Sequence, residues 1–162
     1  MGATTLPNDN DNKEDLNAEL RCDAEHLKRF HVAAASREFQ SVAPTVERFC
    51  NANHIPEAVS NRMNLALDEV LSNIAKYAYD TPEPAIIEVE LTCSTDNFMA
   101  TVRDAGRPFN PLLFSRPANS GAIEVRKQGE LGILFVQRVT DSVVYDRSSD
   151  RNKLTLTIKL VS

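Results

Sequence analysis

Four stretches in the second half of this chain alternate apolar and polar residues one for one. In residues 85–93, Ile87, Val89, Leu91 and Cys93 point one way and Glu88, Glu90 and Thr92 the other. In 98–103, Phe98, Ala100 and Val102 alternate with Met99, Thr101 and Arg103. Val143 and Tyr145 mark a third run, and Leu154, Leu156, Ile158 and Leu160 alternate with Thr155, Thr157 and Lys159 in a fourth. Side chains alternate between the two faces of a strand, so each run predicts a strand with one buried face. A polar turn at 94–97 joins the first two into a hairpin, and a turn over 147–152 joins the last two. A sheet that is apolar on one side only must be covered on that side.

The cover is legible in residues 62–80. Met63, Leu67, Val70, Leu71, Ile74 and Ala78 recur at the three-and-four spacing of a buried helical stripe. Glu69, Asn73, Lys76 and Tyr77 lie around a different face, and Pro82 and Pro84 forbid continuation. Upstream, residues 26–35 predict a first strand carrying Leu27, Phe30 and Val32. Ser36 suits the N-cap of a second helix with Val42, Val46, Phe49 and Cys50 on its apolar stripe, and Pro44 warns of a kink or a later start. Pro56 can open the long helix. The order strand, helix, helix, hairpin, long loop, helix, hairpin predicts an α+β sandwich, a mostly antiparallel sheet with helices stacked on one face.

A length of 162 residues, with 42% hydrophobic and 25% charged residues, fits one globular domain. Residues 1–20 are rich in Asn, Asp and Thr and predict a flexible tail, leaving 21–162 as the folded domain. A net charge of -5 argues against direct nucleic-acid binding, which needs clustered Lys and Arg. No apolar run approaches a membrane span. Cys22, Cys50 and Cys93 are widely spaced without metal-ligand spacing, which reads as reduced thiols in a cytoplasmic protein.

Three short constellations carry chemistry. Glu69 and Asn73 are four apart, so they stack one turn above the other, with Lys76 close by. Asp104 ends a strand, where its carboxylate can accept from an exocyclic amine, and Gly106 permits a turn or a close approach. Gly129 and Gly132 open a helix whose free N–H groups form a phosphate seat, although no lysine-containing phosphate loop follows. Between them, residues 107–128 form a long connection with Arg107, Arg116, Arg126 and Lys127, suited to a phosphate chain. Each piece alone is common: a solvated helix face, a turn, an ordinary charged loop.

Their order is more specific. ALDEVLSNIAKYAY, VRDAGRPFNP and GELGILFVQRVTDSVVY resemble the nucleotide-binding boxes of the ATPases related to gyrase B and the histidine kinases. Within that superfamily they look like the bacterial anti-sigma-factor serine/threonine kinases, over roughly residues 27–161. The resemblance implies a histidine-kinase-like (Bergerat) fold with a mixed sheet and ATP held between helices and loop. It implies Glu69 as general base, Asn73 as the Mg²⁺ ligand and Lys76 as a phosphate contact. Asp104 would receive the adenine amino group, with Gly106 beside the base and Gly129, Leu131 and Gly132 along the nucleotide. The implied partners are a sigma factor and an antagonist (anti-anti-sigma) protein whose serine or threonine is phosphorylated. A homodimer is a further implied assembly, with Phe30, Val32 and the helix from Arg37 as candidate surface. Arg107-Pro108-Phe109 follows Gly106 where gyrase-type sequences carry a second glycine, which favours the anti-sigma branch. Two alternatives stay open: an ATP-binding module that sequesters a partner without phosphoryl transfer, and a detached histidine-kinase catalytic domain.

Overall fold

The structure, a computed structural model, describes residues 26–34, 38–79, 85–110, 112 and 130–160, with the side chains of Glu130 and Leu131 left aside. The expected tail, Ser36, Gly129 and most of the 107–128 connection, including Arg116, Arg126 and Lys127, fall outside these residues.

Five strands form one sheet: β1 (Leu27–Ala33), β2 (Ile86–Cys93), β3 (Asn97–Asp104), β4 (Ser142–Ser148) and β5 (Arg151–Lys159). Their spatial order is β1-β2-β3-β5-β4, and every described pairing is antiparallel. The alternation is realised as expected. Ile87, Val89, Leu91, Phe98, Ala100, Leu156 and Ile158 are fully buried. Their neighbours form the outer face, where Arg29 pairs with Glu90 and Arg103 bridges Glu88 at 2.8 Å and Glu90 at 3.3 Å.

Three helices pack on the apolar face: α1 (Val42–Ala52), α2 (Glu57–Tyr77) and α3 (Glu130–Val139). A 3₁₀ turn, Glu38–Ser41, leads into α1, so the α-helix starts at the first residue of its apolar stripe, later than an N-cap at Ser36 suggested and in keeping with Pro44. Pro44 is the third residue of α1, where its missing N–H costs no helical bond. On α2 the stripe Met63, Ala66, Leu67, Val70 and Leu71 is almost fully buried against the sheet. Each such side chain contributes roughly 1.5–3 kcal/mol of burial. Phe49 of α1 stacks on Phe98 of β3 with centroids 5.7 Å apart. Beside it, burial pushes the Cys50 thiol pKa up.

Two expectations need correction. Val32, offered as dimer surface, is 2% exposed and belongs to the core, and Phe30 packs against that core. The turn expected over 147–152 is only two residues long. Ser149 (φ 50°) and Asp150 (φ 58°) both take positive φ, the backbone of a tight hairpin turn. Arg147 and Asn152 are therefore a paired rung of the β4–β5 ladder, and Asn152 also stands opposite Asp104.

Arg62 of α2 fixes the far end of α3. Its Nε donates to the Val139 carbonyl at 2.9 Å and its guanidinium meets Asp141 at 3.1 Å. A helix end leaves carbonyls unpaired, and a cation there is favourable. Asp141 Oδ2 also accepts the Lys159 N–H at 2.9 Å, so one staple ties α2, α3 and β5 together.

Candidate functional site

An open pocket lies between the second half of α2, the end of β3, α3 and the β4–β5 hairpin. Val70, Ile74, Ile133, Leu154, Phe109, Tyr77 and Tyr145 make its walls largely apolar; Asn73, Asp104 and Asn152 supply its polar groups.

Asp104 sits at the deep end, 3% exposed. Its Oδ1 accepts the Gly106 N–H at 2.8 Å and the Asn152 amide at 3.0 Å. Among the described residues Oδ2 has no partner, so one acceptor remains for a ligand. The loop after Asp104 is stapled to the end of α2. The Arg107 N–H donates to the Ala78 carbonyl at 2.9 Å, and the Ala105 N–H to the Tyr79 hydroxyl oxygen at 3.2 Å. Burial, and then the nearby Asp104 carboxylate, push the Tyr79 pKa up, so it stays a neutral phenol. Gly106 is required by this close approach: a Cβ there would lie 2.6 Å from Ala78 Cβ and 2.7 Å from its carbonyl oxygen.

Asn73 is 7% exposed and lines the same pocket. Its Nδ2 donates to Glu69 Oε1 at 2.9 Å. The four-residue spacing that suggested a shared ligand thus also makes a direct bond, and it leaves the amide oxygen free to accept or to ligate. Glu69 rests on the first turn of α3. A Cβ built on Gly132 would lie 1.7 Å from Glu69 Oε1 and 2.3 Å from its Cδ. Gly132 therefore makes room for the acid. Lys76 is exposed and outside the pocket wall. Leu131 lies in the first turn of α3 by its backbone.

Along the axis of α2, Ala78, beside which Asp104 is held, and Asn73 are separated by roughly 7 Å of helical rise, and Asn73 and Glu69 by about 6 Å; Glu69 is not among the residues that line the pocket. An elongated ligand with an amine-bearing ring at one end and an anionic chain at the other matches this row. Among the described residues no group of three His, Cys, Asp or Glu side chains could hold a metal alone. The donor set fits a magnesium ion completed by phosphates and water, which needs one neutral oxygen such as that of Asn73.

The model of the histidine kinase-like ATPase domain family matches residues 31–158. The chain belongs to that family. The described part of this ATPase domain, with a five-stranded sheet and helices on one face, has the expected α+β architecture, and the family implies ATP binding. It is similar to the crystal structure of the RsbU and RsbW domains of Rv1364c from Mycobacterium tuberculosis. The TM-score is 0.55 at 14% identity, over 82% of this chain and 32% of that one. The ATPase domain thus spans about a third of that neighbour. It is also similar to the histidine kinase domain of a blue-light-activated histidine kinase from Erythrobacter litoralis. That TM-score is 0.49 at 15% identity, over 88% of this chain and 72% of that one. No curated protein sequence matches it. No helix among the described residues of the ATPase domain is long and apolar enough to cross a membrane.

Asn152 and Gly132's partner were not legible in the sequence. Asn152 looked like part of a turn, and its only signal was the polar residue it placed on the apolar side of the β5 alternation.

Proposed function

We propose that this chain is an ATP-dependent serine/threonine protein kinase that serves as an anti-sigma factor, holding a sigma factor and phosphorylating its antagonist. The succession Asp104, Asn73, Glu69 along the length of α2 carries the reading, since it gives a base acceptor, a metal ligand and a base in the order a nucleoside triphosphate and an incoming hydroxyl require. Asp104 Oδ2 takes the amino group of adenine. Asn73 holds Mg²⁺ through its amide oxygen, because its Nδ2 is committed to Glu69; the ion, when bound, neutralises charge on the phosphates. Glu69 takes the proton of the serine or threonine hydroxyl as its oxygen bonds to the γ-phosphorus and the bond to the leaving ADP oxygen breaks. By the family's box pattern, Gly129, Leu131 and Gly132 would lie along the nucleotide and Lys76 would contact a phosphate. The structural neighbour whose described domains include RsbW supports the anti-sigma direction. Among the described residues, His26 precedes β1, His31 lies on β1 and His54 lies in a connector, so none of the three sits on a helix.

The test is labelled ATP with the purified chain and candidate antagonist proteins encoded beside it. Acid-stable label on a serine or threonine of one of them is expected. Acid-labile label on the chain itself would point to phosphohistidine chemistry. ATP and partner binding without any transfer would leave a sequestering switch.

A further inference from the structure

Asn152 is 5% exposed and uses both its amide oxygen and its amide nitrogen in hydrogen bonds to protein. Its Oδ1 accepts from the Tyr145 hydroxyl and from Arg147 NH1, both at 2.8 Å. Its Nδ2 donates to Asp104 Oδ1 at 3.0 Å and to the Arg107 carbonyl at 2.9 Å, with the Gly106 carbonyl at 3.5 Å. The amide has one orientation, because a guanidinium can only donate and a backbone carbonyl can only accept. Arg147 adds its own bond to the Gly106 carbonyl at 3.2 Å. With its lone pairs and amide hydrogens all engaged by protein, Asn152 has nothing left for a ligand.

What this arrangement determines is the state of Asp104. Two donors, the Gly106 N–H and Asn152 Nδ2, converge on one carboxylate oxygen. A carboxylate oxygen that accepts both bonds cannot rotate away without losing them. Oδ2 then faces the pocket as an acceptor only. We propose that Asn152 is a positioning residue that sets base specificity: by locking Asp104 as a one-sided acceptor, it makes the pocket take purines with a 6-amino group and reject those with a 6-oxo group. The inference rests on the reading that Asp104 receives the base. A 6-oxo purine sets oxygen against oxygen there and leaves a buried acceptor without a donor, the costly kind of mismatch.

The test compares the Kd of ATP with that of inosine triphosphate, which shares the sugar and phosphates, by calorimetry on the full chain with Mg²⁺, alongside the melting temperature. Wild type should prefer ATP by roughly 10- to 100-fold. Asn152→Ala should weaken ATP about tenfold and inosine triphosphate hardly at all, so the preference collapses. Asn152→Asp sets a second carboxyl against Asp104, and two such groups share one proton. Its ATP preference should be lost at high pH and return as the pH falls, when the introduced carboxyl can donate to Asp104 as the amide did; wild type should show no such return. If Asn152→Ala does not fold, Tyr145→Phe removes only one bond that orients the amide, and a twofold or greater loss of preference supports the lock. An equal loss of both nucleotides in folded Asn152→Ala, or an unchanged preference in whichever of the two variants folds, overturns it while leaving ATP binding intact. A wild type that binds neither nucleotide overturns the reading of the pocket, and this inference with it.

Discussion

The Asp104 and Glu69 ends of the candidate site are built differently. At the Asp104 end, Asp104, Asn152 and Arg147 share one rung across β3, β5 and β4 and, with Tyr145 two residues along β4, are joined into a network on the sheet. At the Glu69 end, the groups project from the face of a helix, held by one Glu69–Asn73 bond and by the gap left at Gly132. The two glycines express the same contrast. Gly106 faces the Cβ and carbonyl of Ala78, which cannot step aside; Gly132 faces the tip of a flexible glutamate, which can. The Asp104 end is thus held by packing against backbone, and the Glu69 end depends on where one side chain lies.

The contrast can be broken most sharply at Glu69. Under the proposed function, Glu69→Gln keeps shape and the bond to Asn73 but cannot take a proton. Transfer to a protein substrate should fall roughly 10²–10⁴-fold with ATP affinity close to wild type, read by single-turnover labelling and calorimetry. Wild-type transfer rates would leave Glu69 as a solvated acid.

Gly132→Ala should come next. The new Cβ must displace Glu69, while alanine is the better helix former by about 1 kcal/mol. Transfer should drop about 10- to 100-fold with the melting temperature held or raised. A melting temperature lowered by several degrees would mean that the Glu69 end is as stiffly packed as the Asp104 end, and the contrast would fail.

Gly106→Ala should show the reverse. Its Cβ meets backbone within 2.7 Å, so overpacking should cost about 1–3 kcal/mol of stability in denaturant titration, with nucleotide affinity falling alongside. Unchanged stability would show that the loop after Asp104 can move freely.

The smallest effect should lie outside the pocket, at the staple that fixes α3. The Lys159 amide, and with it Arg62, hold the Asp141 carboxyl below the usual carboxylate range. A depressed folded pKa gives stability that is present above the unfolded value, about 3.9, and is lost as the pH falls through the folded value. The pair with Arg62 is partly exposed, so Asp141→Asn should cost no more than about 1 kcal/mol at neutral pH. That difference from wild type should shrink below about pH 4 in urea titrations. A difference that stays constant down to the acid transition would show that charge plays no part in the staple.

Much of this was local and therefore legible. The two-residue period placed Ile87, Val89, Leu91, Phe98, Leu156 and Ile158 on the core face, and the helical period placed Leu67, Val70 and Leu71 against them, because each pattern needs only a neighbour a few positions away. The same locality put Glu69 and Asn73 on one face, and Asp104 at the end of its strand. Sequence did not decide what happens across long separations. Ser149 and Asp150 adopt positive φ without a glycine to announce it, so a polar run that looked like a six-residue turn closed in two. That shift put Arg147 and Asn152 into the ladder and brought Asn152 to Asp104, 48 residues away. Gly132 looked like part of a turn before a helix and is instead the space that admits Glu69 from another helix. Val32 looked available as surface and is core. Chain pattern determines which face of each element is buried, since that depends on its own period. Only the pairing of β3 with β5 and of α2 with α3 decided which polar groups meet, since tertiary packing alone brings distant residues within bonding distance.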